Sequence, residues 1–371
     1  MIAGVRKAVG AATPYVPGKT VEEVRRELGL EKIVKLGSNE NPYGPFPAAR
    51  RAMTEEIGRL NTYPDVSFRE IKSLIGERFG LGPEWVAISH GAEGMLQTLG
   101  KVFLEPGDEA ILPCATYGLY REISLVMGAT LKEIMLKDDL SVNLREMERA
   151  ITGRTKLVWL NNPNNPTGML LPKKSVETLI KRLPRGVWLV LDEAYAEFAS
   201  PEELPSVAKL LEAECSLIVV RTFSKAWGLA GARIGYALAR PEMVRIIDTV
   251  SEPFNANRIA IAGASASLKD DEPAFNQALS ATVRERERVT KALRDMGGET
   301  LPSHTNFVFV TFQTDAGEIS EKLLRKGVIV RPCGGWGFGC SLRVTIGTPE
   351  QNDFFLEALR GVLSGDGEAG A

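Results

Sequence analysis

The stretch SLIVVRTFSKAWGLAGARIGY, residues 216–236, sets the reading of the whole chain. Leu217–Val220 is a continuous apolar run, the pattern of a strand buried on both faces of a parallel sheet. It leads within a few residues into a small-residue turn that carries Lys225, and Arg233 follows eight residues later. A lone lysine is ordinarily a solvated surface charge. A long cationic side chain placed just where a buried strand ends needs a further reason.

Working outward, four more short apolar runs share this form. WVAIS (85–89) precedes the helix-patterned MLQTLGKVFL, and EAILP (109–113) precedes YGLYREISLVM. KLVWL (156–160) precedes a turn and KKSVETLIKRL, while VWLVL (187–191) precedes DEAY. Their length and Val/Ile content favour strands over buried helix segments. Alternation with helical patterns predicts βαβ units and a mostly parallel sheet, an α/β fold. The last hundred residues change character. Charged TVRERERVTKALRDMG is followed by NFVFVTF, EISEKLLRKG, GVIVRP, SLRVTIG and PEQNDFFLEALRGVL, the pattern of a smaller α+β unit. SEPFNANRIA interrupts the earlier pattern, and the expected division is 1–50 as an extended N-terminal arm, 51–270 as the large domain and 271–371 as the small one. The arm is expected to be extended because of Pro14, Pro17, Pro42, Pro45 and Pro47.

The composition excludes several function classes. The chain has 371 residues, 44% hydrophobic and 25% charged, with a formal net charge of −2. That is ordinary globular composition. The near-neutral balance argues against a nucleic-acid partner or an anionic membrane surface. There is no run of eighteen apolar residues and no apolar leader at the N-terminus, so a cytoplasmic location is expected. Cys114, Cys215, Cys333 and Cys340 lack metal-site spacing, and two histidines are too few for a typical zinc cluster, so no metal is expected.

Ligands of open parallel sheets bind outside the carboxyl ends of the strands. After WVAIS comes His90-Gly-Ala-Glu-Gly94, a glycine turn opening a helix, which either is structural or offers backbone N–H groups to a phosphate. Tyr117 follows EAILP and suits either a flat ring or the core. The turn NNPNNPTG (161–168) offers amides. Asp192 and Tyr195 follow VWLVL; a carboxylate there caps a helix, meets solvent or faces a cation. Lys225 and Arg233 follow the fifth run. Each signal has an ordinary alternative, but the set converges. Pyridoxal phosphate has an aldehyde for a lysine, a ring nitrogen for a carboxylate, a 3′-oxygen for donors, a flat face and a phosphate. No GxGxxG opens a helix after the first run, which argues against a nucleotide-binding alternative.

NNPNNPTG, DEAY and TFSKAWGLAGARIGY resemble the signatures of the fold-type-I, class I and II aminotransferases. ATPY, GSNENPYGP (37–45), NTYPD (61–65), ATYGLY (115–120) and SLRVTIGT (341–348) resemble the histidinol-phosphate aminotransferase branch. The resemblance implies a PLP-dependent transferase with a large, mostly parallel domain and a smaller α+β domain. It implies that Lys225 forms the Schiff base, that Asp192 pairs with the pyridine nitrogen, and that Asn165 and Tyr195 hold the 3′-oxygen. Tyr117 would stack on the ring. Ala92 and Glu93 amides, Ser224 and Arg233 would hold the phosphate. Tyr63 would reach it from a second subunit of a homodimer. Arg343 would take the carboxylate or equivalent end of the substrate, with Asn165 beside it, and Tyr15 and Arg331 the distal phosphate. The implied reaction is ping-pong transfer from L-histidinol phosphate to 2-oxoglutarate in histidine biosynthesis. Aromatic or broad-specificity transamination and phosphoamino-acid decarboxylation are the alternatives, and an aminotransferase-like sensor module would carry a DNA-binding segment. One departure stands out. Relatives commonly carry two acids after the glycine turn, where this chain reads GAEG, with Glu93 and then Gly94. Trp336 and Phe338, in a glycine-rich loop between Arg331 and Arg343, suit an aromatic pocket or loop packing.

Overall fold

The computed structural model describes residues 4–14 and 18–364. Near the N-terminus come α1 (Val21–Leu28), β1 (Val34–Lys35), α2 (Pro47–Glu56) and α3 (Arg69–Phe79). The expected extended arm is thus partly helical. Thr20 and Glu23 close a reciprocal capping box at the start of α1, and Gly29 ends it in the left-handed conformation.

The large sheet follows, with its helices: β2 (Val86–Ser89), α4 (Gly91–Phe103), β3 (Glu109–Pro113), α5 (Leu119–Met127), β4 (Thr130–Ile134) and α6 (Leu144–Arg149). Then come β5 (Thr155–Asn161), α7 (Lys173–Arg182), β6 (Trp188–Asp192), α8 (Val207–Glu212), β7 (Leu217–Thr222) and β8 (Gly235–Leu238). Among the described residues the sheet has seven strands in the order β2-β8-β7-β6-β5-β3-β4. The five expected runs are all strands. β4 and β8 were not foreseen. TLKEI is half-exposed and broken by charges, and GYAL is too short to stand out beside the turn before it. β8 pairs antiparallel with both β2 and β7, so the sheet is mixed at that edge and parallel from β7 to β4.

The continuous apolar runs have a simple cause. Chain neighbours such as Leu157 and Val158, Leu189 and Val190, or Leu217 and Ile218 lie on opposite faces of the sheet, and both faces are covered. Val158, Leu160, Leu189, Leu191 and Val219 belong to one core cluster. Leu157, Trp159, Val190, Ile218 and Val220 belong to a second on the opposite face.

The chain continues through α9 (Pro241–Val250), α10 (Arg258–Asp270) and the long α11 (Glu272–Asp295). Phe275 and Ala278 of α11 pack in the first core, whereas Val289 and Leu293 pack in a third. The rest is β9 (Glu299–Thr300), β10 (Phe307–Thr311), α12 (Ala316–Arg325), β11 (Val328–Ile329), β12 (Arg331–Pro332), β13 (Ser341–Thr345) and α13 (Pro349–Leu363). A four-stranded antiparallel sheet, β12-β13-β10-β9, is backed by α12 and α13. β1 pairs with β11 and buries Val34 and Leu36 in the same third core, which ties the N-terminal segment to the C-terminal layer.

Candidate active site

The carboxyl ends of β5, β6 and β7 and the start of α4 open onto a cavity of about 200 Å³. It brings together Ala92, Glu93, Tyr117, Asn165, Asp192, Tyr195, Ser224, Lys225, Arg233 and Arg343. Arg331 lines an adjoining cavity of about 390 Å³, which shares Glu93, Tyr117, Asn165 and Arg343 with the first. Tyr63 lines neither; the residue is 74% exposed, and its ring stacks on Phe254. Tyr15 lies outside the described residues.

Asp192 ends β6 and is nearly fully buried. Its Oδ2 accepts the Tyr120 hydroxyl at 2.6 Å, and its Oδ1 accepts the Ala194 N–H at 3.0 Å. Burial pushes its pKa up to about 6, against the pull of those two donors. Parallel register sets Asn161 and Val220 level with Asp192 on the neighbouring strands, so the next strand over delivers Lys225 to the same cavity. The Lys225 Nζ donates to the Ser38 carbonyl at 3.2 Å. Burial, helped by the Arg343 guanidinium, pushes its pKa down to about 8.

The turn after β5 uses most of its asparagines on itself. Asn161 donates to the Asp192 carbonyl at 3.0 Å and accepts the Asn165 N–H at 2.8 Å. Asn164 bonds Thr116, Ala115 and Thr167. Asn165 is the one whose side chain accepts from Arg343, at 2.7 Å, which turns its amide nitrogen to act as a donor. Tyr195 receives a bond from the Asn39 amide at 2.9 Å.

The groups that could hold an anion lie at the other end of the cavity, around the start of α4 and Arg233. Gly91 (φ +89°) turns the chain into α4, and the Arg233 guanidinium lies so close that a Cβ on Gly91 would meet its Nη2 at 2.8 Å. Arg233 donates to Ser224 Oγ at 3.5 Å and to Glu93 Oε2 at 3.4 Å. Glu93 also accepts the Tyr117 hydroxyl. A Cβ on Gly94 would come within 2.5 Å of the His90 imidazole, so the GAEG departure leaves room for that ring over the first turn of α4.

Sequence reasoning missed Asn39, Tyr120 and Asn161. Asn39 is 156 positions from Tyr195. Tyr120 lay inside a quoted motif, but only the fold brings it against Asp192. Asn39 and Asn161 likewise lay inside the quoted motifs GSNENPYGP and NNPNNPTG, and that was the available signal; in the structure Asn39 takes a positive φ (56°), which asparagine tolerates better than most residues. The donor set fits pyridoxal phosphate: a buried carboxylate, a lysine with depressed pKa, a flat phenol, an amide donor and a helix-start anion cradle.

The model for aminotransferase class I and II matches residues 31–359. Histidinol-phosphate aminotransferase of Moorella thermoacetica is 39% identical over 360 residues, covering 97% of this chain and 93% of that protein. This chain belongs to the histidinol-phosphate aminotransferase branch of the class I and II aminotransferases. Histidinol-phosphate aminotransferase 1 of Dechloromonas aromatica is 41% identical over 358 residues, covering 96% and 97% of the two chains. The aminotransferase fold also superimposes on the crystal structure of histidinol-phosphate aminotransferase from Sinorhizobium meliloti in complex with pyridoxal-5'-phosphate. The TM-score is 0.90 at 29% identity, covering 98% of this chain and 99% of that one. Among the described residues no helix of this aminotransferase is long and apolar enough to cross a membrane, and no cluster of three or more metal-ligating side chains forms.

Proposed function

We propose that this chain is a pyridoxal-phosphate-dependent transaminase that moves the amino group of L-histidinol phosphate to 2-oxoglutarate, in histidine biosynthesis. The carrying observation is the pairing of buried Asp192 with Lys225 in one cavity beside an anion cradle. Pyridoxal phosphate, when bound, supplies an aldehyde and an electron-withdrawing ring that lowers the cost of charge at the substrate α-carbon. Asp192 would hold a proton on the ring nitrogen, and that positive charge is what lets the ring accept electrons from the substrate α-carbon. Burial lowers the Lys225 pKa and so favours its neutral amine, and Nζ would take the α-carbon proton and hold it for return.

Asn165 and Tyr195 would bond the 3′-oxygen, and Tyr117 would stack on the ring. The Ala92 and Glu93 amides, Ser224 and Arg233 would hold the cofactor phosphate. Arg343 takes a carboxylate, and Arg331 with Tyr15 takes the donor phosphate. The working unit in this reading is a homodimer in the cytoplasm, with Tyr63 reaching the partner's site. The exposed apolar side chains of Ile57, Leu60, Tyr63, Val66 and Phe254 support such a contact, and the cysteines are free thiols.

The test is a first half-reaction panel followed by cofactor absorbance, with histidinol phosphate, phenylalanine, tyrosine and aspartate as donors. Histidinol phosphate is expected to be at least about tenfold more efficient than the others, since a charged contact is worth about 1.5–3 kcal/mol. Phenylalanine or tyrosine reacting as fast would replace this reading with an aromatic aminotransferase. Carbon dioxide release from a phosphoamino acid would replace it with a decarboxylase. Turnover surviving Lys225→Ala would overturn the chemical centre.

A further inference from the structure

The open side of the site carries two arginines in an unfavourable place. Arg331 and Arg343 are directly opposite on β12 and β13. Opposed residues of an antiparallel pair share a face, and like charges there repel. Both nevertheless line the same cavity, and Trp336 lines it with them. The guanidinium carbons of Arg331 and Arg343 each lie 5.8 Å from the centre of the Trp336 ring. Both distances are within the range of cation–π attraction.

The indole is not loosely placed. Its Nε1–H donates to the Thr116 carbonyl at 2.7 Å, one residue before Tyr117. Its backbone sits in a single tight turn, Gly334–Trp336, which Gly337 closes at φ +86°. Phe338, the other aromatic of this loop, turns away and packs edge-on against Phe309. Of these two loop aromatics, Trp336 is the one that lies against both arginines; Arg343 also lies 5.4 Å from the centre of the Phe307 ring.

We propose that Trp336 is a positioning residue: anchored through its N–H to Thr116, its ring holds the Arg331 and Arg343 guanidiniums together as one clamp for the anionic groups of both substrates. The inference rests on the reading of a histidinol-phosphate and 2-oxoglutarate transaminase. The ring's negative face offsets part of the repulsion between the two opposed guanidiniums, and an incoming anion would offset more of it. Trp336 also links the clamp to the segment that carries Tyr117.

The test uses the holoenzyme and two variants, Trp336→Ala and Trp336→Phe, with folding checked by thermal unfolding. Glutarate is an unreactive five-carbon diacid, and its Kd is read by titration calorimetry. The alanine variant is expected to weaken glutarate about tenfold and to raise KM for histidinol phosphate and 2-oxoglutarate by a similar factor, with kcat changed by less than about threefold. Phenylalanine keeps a ring but loses the anchor, so its effect should lie between wild type and alanine. Histidinol lacks the phosphate, and its slow first half-reaction should be unaffected. Glutarate binding unchanged in both variants would overturn the clamp. Equal losses for histidinol and histidinol phosphate would also overturn it, since they would assign Trp336 to the imidazole ring instead. If Trp336→Ala does not fold, the phenylalanine variant decides on the same criteria. A wild-type enzyme that ignores histidinol phosphate but binds glutarate would sink the functional reading, while the glutarate comparison would still decide the clamp.

Discussion

The side chains around Asp192 show how a burial cost is kept available for chemistry. Burial raises this carboxyl to a pKa of about 6, and the Tyr120 hydroxyl pulls it back. Tyr120 is held in place by stacking on Trp159, with ring centres 5.4 Å apart. Tyr120→Phe removes a donor to the charged form, so the Asp192 pKa should rise further. The sign follows from linkage. A carboxyl with a raised folded pKa contributes stability below its unfolded value near 3.8, and that stability is lost as pH rises through the folded value. Calorimetry of the cofactor-free protein should therefore contain a component, absent from Asp192→Asn, in which stability falls as pH rises from about 4 to about 6. In Tyr120→Phe the fall should extend to higher pH. Cofactor affinity needs the ionised carboxylate, so its acid midpoint should move upward in Tyr120→Phe. An unmoved midpoint would mean that the 2.6 Å bond does not govern this group.

At the scale of elements, the site depends on two neighbouring strand ends keeping their relative position. A buried ion group fastens them. Arg221 of β7 donates to Glu193, just past β6, at 2.7 Å and to Glu197 at 3.4 Å, and its guanidinium lies 5.0 Å from the Phe79 ring. Burial pushes both glutamates up while Arg221 pulls them down. Arg221→Met leaves two carboxyls buried without their cation. It should destabilise the fold by about 3–5 kcal/mol, the usual result of removing one partner of a buried pair. Chemical denaturation measures this directly, and a loss below about 1 kcal/mol would mean that water reaches the glutamates. The element pattern was largely legible in the chain. The five apolar runs gave five strands because a sheet covered on both faces admits apolar residues at every position. β4 was hidden because it lies at the edge and is half-exposed, and β8 because it returns antiparallel after the Lys225 turn.

The whole molecule presents Ile57, Leu60, Tyr63 and Val66 to solvent on the side where Tyr63 stacks on Phe254. In a homodimer whose sites are shared, Tyr63→Ala and Lys225→Ala should each be inactive alone and recover activity when their subunits are mixed. The mixed dimer then holds one site with both residues intact. Activity assays after exchange, with heterodimer formation verified by mass spectrometry, check this. No recovery would place Tyr63 in its own subunit's service or in none.

The sequence by itself determined the alternating strand-and-helix order, the strand-end residues and, through Lys225, Asp192 and Arg233, the class of ligand. Those features are local: each is a short apolar run followed by a turn, and neither depends on what packs opposite. The tertiary structure decided the rest. Asn39 meets Tyr195, Tyr120 meets Asp192, and Arg343 meets Asn165 across separations of 156, 72 and 178 residues. It also set α11 across two cores, and it put two arginines face to face beside one indole. No local pattern encodes such contacts, because they arise from strand register and layer packing, which depend on the whole chain at once.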